Sequence, residues 1–449
     1  MSSTGTEAAA GAGSDSSNDT EAGDDGALVD AYEALLFDLD GVLYRATDTV
    51  PGAPEAIAGV RDRGKRLAFV TNNSSRTPEQ VAEKLRGHGI DARPEEVVSS
   101  AMATADLLRE RGGGTAYVIG ETGIREALRQ AGLKVVTDDA QQADHVVVGV
   151  DTDVTYANLR TAALLVQRGA SLVATNADAS YPAPNGLWPG AGALLAAITT
   201  TLGRGPDDVV GKPHPPLLLK ARDLAGGGAA LVVGDRLDTD VDGAAAVGWD
   251  SLMVLTGVSA ERDLIGAPTV PTFLGTDLAA LFRPAPAIGA ALEEDAGPIE
   301  RLLIAAGLES DGVAGRIPDT LVARTGGGDV VGTAALELFP APGGGAGTDA
   351  DGRAPVAHLR SLAVDERRRG SHLGTLLVAR VVRLALDRGA ASIHLVTETA
   401  APFFERLGFE ATGRRDTLPG PILATPMVRD ACSVSSTAFR WAPPAPRRG

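Results

Sequence analysis

The sequence predicts an α/β protein with a doubly wound core and a second, separate domain. From about residue 32 to residue 283, apolar runs alternate with helical patterns, and several runs end abruptly in polar residues. Parallel strands that are covered on both faces read as continuous apolar runs, and ligands collect beyond their carboxyl ends. The chain has 449 residues, of which 44% are hydrophobic. That length and composition allow roughly three ordinary domains.

The net charge and the lengths of the apolar runs argue against several classes of partner, and the cysteine count bears on where the protein is located. The formal charge of -17 argues against nucleic acid and anionic membranes, because binding to phosphates requires clustered Lys and Arg. No apolar run approaches the roughly 18 residues of a membrane span. Cys432 is the single cysteine and no charged-then-apolar leader opens the chain, so we expect a cytoplasmic protein.

Residues 1–30 are acidic and poor in apolar side chains, which predicts a disordered tail.

Lysine is scarce and arginine is the dominant cation. The five lysines are Lys65, Lys84, Lys134, Lys212 and Lys220. Each therefore raises the question of what it does, although a GC-rich gene or a halophilic host explains the bias equally well.

The first chemical motif is the run LLFDLDGVLY at residues 35–44. The apolar part predicts a buried strand, and Asp38 and Asp40 would project beyond its carboxyl end. Two carboxylates so close together repel each other unless a cation compensates or one holds a proton. A divalent metal would satisfy the first condition, while a turn capped by aspartates is the structural alternative.

A second motif comes about one βαβ unit later. The apolar run at residues 66–70 ends in Thr71, Asn72 and Asn73, followed by two serines. These side chains suit a phosphoryl group, but they are also ordinary turn and N-cap residues before a helix at 78–87.

Two further motifs lie after residue 206. Lys212 precedes a rigid proline and supplies a point positive charge, for which a bidentate arginine is unnecessary. His214 is a weaker candidate for a general base, because Asp40 already fills that role. The apolar run at 230–234 is followed by Asp235 and Asp240, an oxygen-rich set that suits Mg²⁺.

Together, in this order, the four motifs resemble those of the haloacid dehalogenase (HAD) superfamily, and in particular its class IIA, NagD/nitrophenylphosphatase-like branch. The resemblance implies that Asp38 is the nucleophile, that Asp40 is the general acid and base, and that Thr71 and Lys212 bind the phosphoryl group. Asn72 and Asn73 would contact substrate. The implied Mg²⁺ ligands are Asp38, Asp40, Asp235 and Asp240.

Residues 87–206 predict an α/β unit inserted between the two parts of the core, 31–86 and 207–283. It resembles the C2-type cap of class IIA phosphatases, and a homodimer through this cap is one expectation for the assembly. The sequence ATNAD at 174–178 places Asn176 and Asp178 as candidates to orient the leaving group. The alternative is that these residues only build turns.

A Pro/Ala/Gly-rich linker is predicted at residues 284–297, and a second domain at 298–430, followed by a tail at 431–449. The strand pattern at 358–364 leads into the arginine- and glycine-rich loop 365–372 and a helix, and backbone N–H groups at such a helix start suit a pyrophosphate. With APFFERLGF at 401–409, this region resembles GNAT acetyltransferases, closest to the arsenic-resistance type. The resemblance implies an α+β fold and acetyl-CoA bound by Leu362, Val364, Arg369, Gly370 and Gly374.

Two residues depart from the GNAT pattern. His372 occupies a position where the family has glycine, and a positive φ there would cost about 1 to 3 kcal/mol. Phe404 stands where many of these enzymes carry a tyrosine acid. Glu337 and His358 are both candidate bases, and the spacing selects neither. A non-catalytic acyl-CoA-binding or structural module is therefore the alternative for this domain.

The resemblance implies an Mg²⁺-dependent phosphatase that acts on a small-molecule phosphomonoester. Sugar phosphates, glycerol phosphate, phosphoglycolate and nucleoside monophosphates are all candidates. The alternative is that N-acetyl transfer is the main activity and that the HAD part is a scaffold or sensor.

Overall fold

The computed structural model describes residues 26–183, 185–340, 354–431, 433 and 435–444. Its first unit is built on a six-stranded sheet in which all neighbouring strands are parallel. In spatial order the strands are Phe273–Gly275, Asp250–Val254, Ala230–Gly234, Ala34–Phe37, Arg66–Thr71 and Val97–Ser99. Ala34–Phe37 is buried at every position, which explains why its sequence is a continuous apolar run.

Helices cover both faces of this sheet. They are Ala53–Asp62, Pro78–Gly87, Ser100–Glu110, Pro215–Leu224 and Asp242–Ala246. Pro78–Gly87 begins at a capping box, in which Thr77 and Gln80 bind each other's backbone N–H groups, and Pro78 needs no donor at the first helical position. A short 3₁₀ turn at Leu28–Ala31 packs on the core, so residues 28–30 of the predicted tail are folded, while residues 1–25 lie outside the described part. No described helix is long and apolar enough to cross a membrane.

The inserted cap has a five-stranded parallel sheet of its own. Its strands are, in spatial order, Asp208–Val209, Ser171–Ala174, His145–Val148, Thr115–Ile119 and Lys134–Val135. Helices Thr122–Gln130, Tyr156–Gln167 and Ala191–Leu202 and the hairpin Ser180–Ala183 with Gly186–Pro189 complete it. The predicted doubly wound core with an inserted α/β cap is therefore confirmed.

Strand pairing divides core from cap at slightly different residues than the motifs suggest. Val97–Ser99, within the predicted cap range, pairs with the core strand Arg66–Thr71. Asp208–Val209, within the predicted core range, pairs with the cap strand Ser171–Ala174. Such pairing depends on neighbours that are distant in sequence, and a short strand carries no sign of which sheet it joins.

The C-terminal region forms a mixed seven-stranded sheet, which confirms the predicted α+β class. The spatial order is Ala287–Ala290, Thr320–Arg324, Val330–Phe339, Val356–Val364, Ser392–Thr397, Thr437–Trp441 and Glu410–Arg414. Helices Ala296–Ala305, Leu373–Asp387, Ala401–Arg406 and Gly420–Leu423 accompany it. The predicted linker thus contains the edge strand Ala287–Ala290, and the predicted tail contains the inner strand Thr437–Trp441; residues 445–449 lie outside the described part.

The core and the C-terminal domain share one apolar cluster. Met253, Leu264 and Leu274 of the core lie in the same cluster as Leu377 and Trp441 of the C-terminal domain. A Cβ atom at Gly266 would lie only 2.5 Å from the Trp441 ring. The two domains therefore pack closely, which the Pro/Ala/Gly-rich sequence between them does not indicate.

Candidate active site

A cavity of about 640 Å³ lies between the carboxyl ends of the core strands and the cap. Its walls bring together residues that are far apart in the chain, because parallel strands present their carboxyl ends at one edge. The predicted residues that line it are Asp38, Asp40, Thr71, Asn72, Asn73, Asn176, Asp178, Lys212 and Asp235. Asp240, the remaining predicted ligand of the core, lies buried beside Lys212.

Lys212 forms the electrostatic centre of the site. Its Nζ atom donates to Asp38 Oδ1 at 2.6 Å and to Asp240 Oδ1 at 2.6 Å. Burial alone would lower the pKa of Lys212, but the charges of Asp240 and Asp38 outweigh it and raise that pKa. Burial raises the pKa of Asp38 well above its ordinary value, and Lys212 opposes this shift. The ammonium group thus favours the ionised form of Asp38 that a nucleophile requires.

Three carboxylates are arranged as a cation site. Oxygen atoms of Asp38, Asp235 and Asp240 all lie within 4.8 Å of one another. Asp235 accepts the Val258 N–H at 2.7 Å through Oδ2, whereas Oδ1 is buried and has no partner among the described residues. Burial and the charge of Asp240 raise the pKa of Asp235 to about 7. Clustered hard oxygen donors with one atom unbonded fit Mg²⁺, and its charge would favour ionised Asp235.

Asp240 and Asp40 differ from the other two predicted ligands. Both oxygens of Asp240 are already bonded, Oδ1 to Lys212 and Oδ2 to the Arg236 N–H at 3.2 Å. Asp40 lies outside the carboxylate cluster, on the cavity wall. Its side chain is open to the cavity, but desolvation by the surrounding protein raises its pKa, an effect that the positive charge of Lys84 opposes. A raised pKa favours the protonated form that a general acid needs.

A cationic group around Tyr44 adjoins Asp40, and only part of it was predictable. Tyr44–Arg45 pairs with Asp48–Thr49 as a small hairpin. Lys84 Nζ lies 3.6 Å above the Tyr44 ring, and His88 stacks on that ring at 4.9 Å. Arg45 and Arg76 line the cavity nearby. The scarcity of lysine was a signal for Lys84, whereas nothing in the sequence singles out Arg45 or Arg76.

Two asparagines connect core and cap. Asn72 accepts the Lys212 N–H at 2.8 Å and donates to Asp178 at 3.2 Å. Asn176 donates to the Asn72 carbonyl at 2.7 Å and is 2% exposed. Burial raises the pKa of Asp178, which the bond from Asn72 opposes. Asn72 and Asn176 therefore fix the cap relative to the phosphoryl site, while their contact with substrate stays a prediction.

Thr71 and Asn73 stabilise the loop that contains them, and His214 lies outside the main cavity. Thr71 Oγ1 accepts the Asn73 N–H at 3.1 Å, and Asn73 Oδ1 accepts from the Ser75 N–H at 2.8 Å. His214 is exposed and lines a smaller cavity of about 280 Å³ that contains neither Asp38 nor Asp40. Its position gives no support to a role as general base.

In the C-terminal domain, the arginine- and glycine-rich loop precedes helix Leu373–Asp387 as predicted. Gly370 has φ 77° and His372 has φ 60°, so the backbone at residue 372 has the left-handed conformation in which a non-glycine residue is strained. The His372 ring lies 2.5 Å from Glu261 Oε1 and 2.9 Å from Thr276 Oγ1, both in the phosphatase core. Arg369 is mostly exposed, Gly374 lies against Phe403, and Leu362 and Val364 pack on the apolar cluster.

Phe404, at the position of the family's tyrosine acid, and the two candidate bases lie in three different environments. Phe404 is 4% exposed and packs edge-to-face on Phe403 and Phe409, so it belongs to the apolar core. Glu337 is half-buried and accepts from Arg360 at 3.2 Å. His358 is fully buried, with no partner for either ring nitrogen among the described residues, and burial lowers its pKa to about 3.

Similarity to known proteins confirms the HAD assignment of the N-terminal part and the GNAT assignment of the C-terminal part. Residues 35–134 match the haloacid dehalogenase-like hydrolases, residues 209–281 match a second HAD-hydrolase-like family, and residues 300–409 match the GNAT acetyltransferase family. An acid sugar phosphatase of Staphylococcus aureus is 42% identical over 250 residues, which are 55% of this chain and 95% of that protein. The chain therefore belongs to the haloacid dehalogenase-like hydrolases and is a phosphatase of that superfamily.

Two solved structures give a finer placement. A 4-nitrophenylphosphatase of Thermotoga maritima is 33% identical, with a TM-score of 0.54, over 57% of this chain and 97% of that one. A glycerol phosphate phosphatase of Mycobacterium tuberculosis, in complex with magnesium, is 30% identical, with a TM-score of 0.61, over 85% of this chain and 98% of that one. This chain is thus a nitrophenylphosphatase-like phosphatase with a C-terminal GNAT domain.

Proposed function

We propose that the protein is an Mg²⁺-dependent phosphatase that hydrolyses small phosphomonoesters of the sugar-phosphate or glycerol-phosphate type. The observation that carries the proposal is the buried set in which Lys212 bonds Asp38 and Asp240, while Asp235 Oδ1 has no partner among the described residues. The cavity size suits a small ligand, since binding pockets commonly span about 300 to 1,000 Å³. The named activities of the similar proteins supply the substrate class.

The reaction proceeds in two displacements. An Asp38 oxygen attacks phosphorus, the bond from phosphorus to the ester oxygen breaks, and Asp40 gives its proton to the departing alkoxide. Asp40 then removes a proton from water, whose oxygen attacks phosphorus, releasing phosphate and restoring Asp38. Lys212 and Thr71 bind the equatorial oxygens of the transferring group. Asp38 and Asp235 would hold Mg²⁺, which when bound would neutralise negative charge on that group and on the clustered carboxylates.

A panel of phosphomonoesters with and without Mg²⁺ tests this proposal. Sugar phosphates, glycerol phosphate and 4-nitrophenyl phosphate should be hydrolysed only with the metal, and chelation should stop turnover reversibly. Asp38→Asn should abolish turnover, because an amide is a poor nucleophile. Asp48→Asn, which changes an exposed aspartate on the neighbouring hairpin, serves as the matched control. Near wild-type turnover by Asp38→Asn would refute the assignment.

A specific observation favours acetyl-CoA binding by the GNAT domain as a second function. Strands Val356–Val364 and Ser392–Thr397 pair with each other only from Val356↔Ser392 to His358↔His394, although each keeps its other neighbour beyond that point. The two edges that face each other there have no strand partner in the described part of the chain, so their backbone groups can bond a ligand, which the exposed arginines of loop 365–372 would hold by its pyrophosphate. Calorimetric titration of acetyl-CoA tests this, and no heat of binding would favour a structural module.

The alternative in which acetyl transfer is the main activity has less support. Phe404 lies in the apolar core, and His358 is buried with no partner in the described part of the chain. Both side chains are therefore shielded from solvent, where a substrate would approach. By contrast, the predicted phosphatase residues surround one cavity.

A further inference from the structure

The segment 256–264 connects the phosphatase metal site to the GNAT domain. At its start, Thr256 Oγ1 donates to the Gly41 carbonyl at 2.6 Å. The Val258 N–H donates to Asp235 Oδ2 at 2.7 Å, and the Ser259 N–H donates to the Asp235 carbonyl at 3.1 Å. The segment therefore holds Asp235 by one carboxylate oxygen and leaves Oδ1 available to a metal ion.

The approach of this segment to Asp235 is close. A Cβ atom at Gly257 would lie 1.9 Å from Asp235 Oδ2, so only glycine permits the contact. Ser259 Oγ also accepts the Leu237 N–H at 3.1 Å, which ties the segment to the turn after Asp235. Yet residues 256–260 form no regular helix or strand, and Val258 is 63% exposed. Without regular structure, these residues depend on their bonds to Asp235 and Leu237 and on the part of the chain that follows them, which begins at Glu261.

The carboxylate of Glu261 is bound by the GNAT domain. His372 Nδ1 lies 2.5 Å from Oε1, and since a carboxylate only accepts, the ring donates. Arg406 Nε donates to Oε2 at 3.1 Å. The Glu261 and His372 side chains are 12% and 18% exposed, so their bond is largely shielded from water, whereas Arg406 bonds Glu261 from the exposed rim. The neighbouring Leu264 is fully buried in the cluster shared with the GNAT helix.

We propose that Glu261 is a positioning residue for the phosphatase metal site, and that the GNAT domain holds it through His372 and Arg406. This inference rests on the Mg²⁺ site of the proposed function. It gives the GNAT domain a role in phosphate ester hydrolysis that requires no acetyl transfer. It also gives His372 a reason to replace glycine, because glycine has no side chain to reach Glu261.

The expected signature is a change in Mg²⁺ affinity without a change in saturated turnover. Loss of partners that bond a metal ligand directly lowers affinity by about 10 to 100-fold. Glu261 acts one step further away, so Glu261→Ala should weaken Mg²⁺ binding about three- to tenfold by the same reasoning. At saturating Mg²⁺, turnover of 4-nitrophenyl phosphate should match wild type, because Asp38, Asp40 and Lys212 are unchanged.

The experiment is a calorimetric titration of Mg²⁺ alone into the full chain. Glu261→Gln, which retains an acceptor oxygen, should recover part of the affinity. Arg262→Ala changes an exposed side chain of the same turn and should bind like wild type. If Glu261→Ala does not fold, Arg406→Gln removes one of the two bonds from the other side and should weaken binding in the same direction.

Folded variants with wild-type Mg²⁺ affinity would overturn the inference, as would reduced turnover at saturating metal with unchanged affinity. Wild-type protein that binds no Mg²⁺ would overturn the proposed function as well. The two failures are therefore distinguishable by the wild-type titration.

Discussion

The phosphatase cavity and the GNAT sheet both bury polar side chains, but the two regions differ in the charges and hydrogen bonds that compensate this burial. In the phosphatase, buried Lys212 lies between two carboxylates, and Asp235 leaves one oxygen unbonded among the described residues. In the GNAT sheet, His358 is fully buried with no partner for either nitrogen in the described part of the chain. The first arrangement keeps charges in place, whereas the second lowers the pKa of His358 to about 3 and keeps the ring neutral.

This difference teaches how to read a buried polar residue. A charge in a dry site is tolerated when opposite charges and bonds compensate its lost hydration. A histidine without such compensation gives up its proton instead. The phosphatase site is therefore organised for charged chemistry, and the buried GNAT face is not.

The largest effect is expected from a substitution in the phosphatase cavity. Asp40→Asn removes the proton donor and should lower turnover by about 10² to 10⁴-fold, the usual range for a lost general acid. Mg²⁺ binding should be kept, since Asp40 lies outside the carboxylate cluster. Steady-state kinetics with an alkyl phosphate and with 4-nitrophenyl phosphate measures it, and the loss should be smaller for the better nitrophenolate leaving group. Equal losses would argue that Asp40 acts on the metal site instead.

The next effect concerns the boundary between the two regions. Trp441 is 9% exposed and packs against Gly266 of the phosphatase core, so Trp441→Ala should destabilise the protein by about 3 to 5 kcal/mol. Because the apolar cluster spans both domains, we expect a single thermal unfolding transition, lowered in the variant. Trp188→Ala, at a 41% exposed tryptophan of the cap hairpin, is the matched control. Two separate transitions in wild type would contradict shared packing.

Much of the phosphatase site was predictable because its residues come directly after apolar runs. Asp38, Thr71 and Asp235 each stand at the end of a strand, where chain order alone implies a common edge. The bond from Asn176 to Asn72 was not predictable, since it joins core and cap across 104 residues. Only the folded arrangement reveals that these asparagines serve the domain contact.

The C-terminal domain was less predictable at its two ends. Ala287–Ala290 is too short and too rich in alanine and glycine to read as a strand, and it owes its conformation to pairing with Thr320–Arg324. Thr437–Trp441 is likewise placed by pairing on both sides. The glycine that His372 replaces raises the question of a positive φ, which the structure answers, whereas the contact of His372 with Glu261 depends on domain packing and has no sign in the sequence.

A third prediction concerns how the stability of the protein depends on pH through His358, the buried histidine without compensating charges. The pKa of His358 is about 3 in the folded protein, and about 6.5 is ordinary for an unfolded chain. As the pH falls below about 6.5, His358 binds a proton in the unfolded state before it does so in the folded state. The free energy of unfolding therefore falls as the pH falls. At pH 5 this amounts to about 2 kcal/mol, and nothing at pH 8.

His358→Leu should flatten this loss when thermal unfolding is followed from pH 8 to pH 5. Burial also lowers the pKa of His394, to about 4, so some acid sensitivity should remain. His214→Leu, at an exposed histidine, is the control. An unchanged pH slope in His358→Leu would mean that the ring finds a partner in solution.

The smallest effect is expected at the residue that joins the two regions. His372 holds a left-handed φ of 60° at the start of helix Leu373–Asp387. Relief of about 1.4 kcal/mol of strain by His372→Gly should tighten acetyl-CoA binding about tenfold, if the relaxed loop is the form that binds. The same change removes the bond to Glu261, so Mg²⁺ binding should weaken while acetyl-CoA binding improves.

Calorimetry with each ligand separates these opposite effects in one variant. His372→Asn is the matched control, because asparagine tolerates the left-handed backbone but is too short to replace the ring at both Glu261 and Thr276. It should resemble glycine toward Mg²⁺ and fall between glycine and wild type toward acetyl-CoA. Unchanged or weaker acetyl-CoA binding by the glycine variant would mean that this loop does not hold the cofactor, and that His372 serves the phosphatase alone.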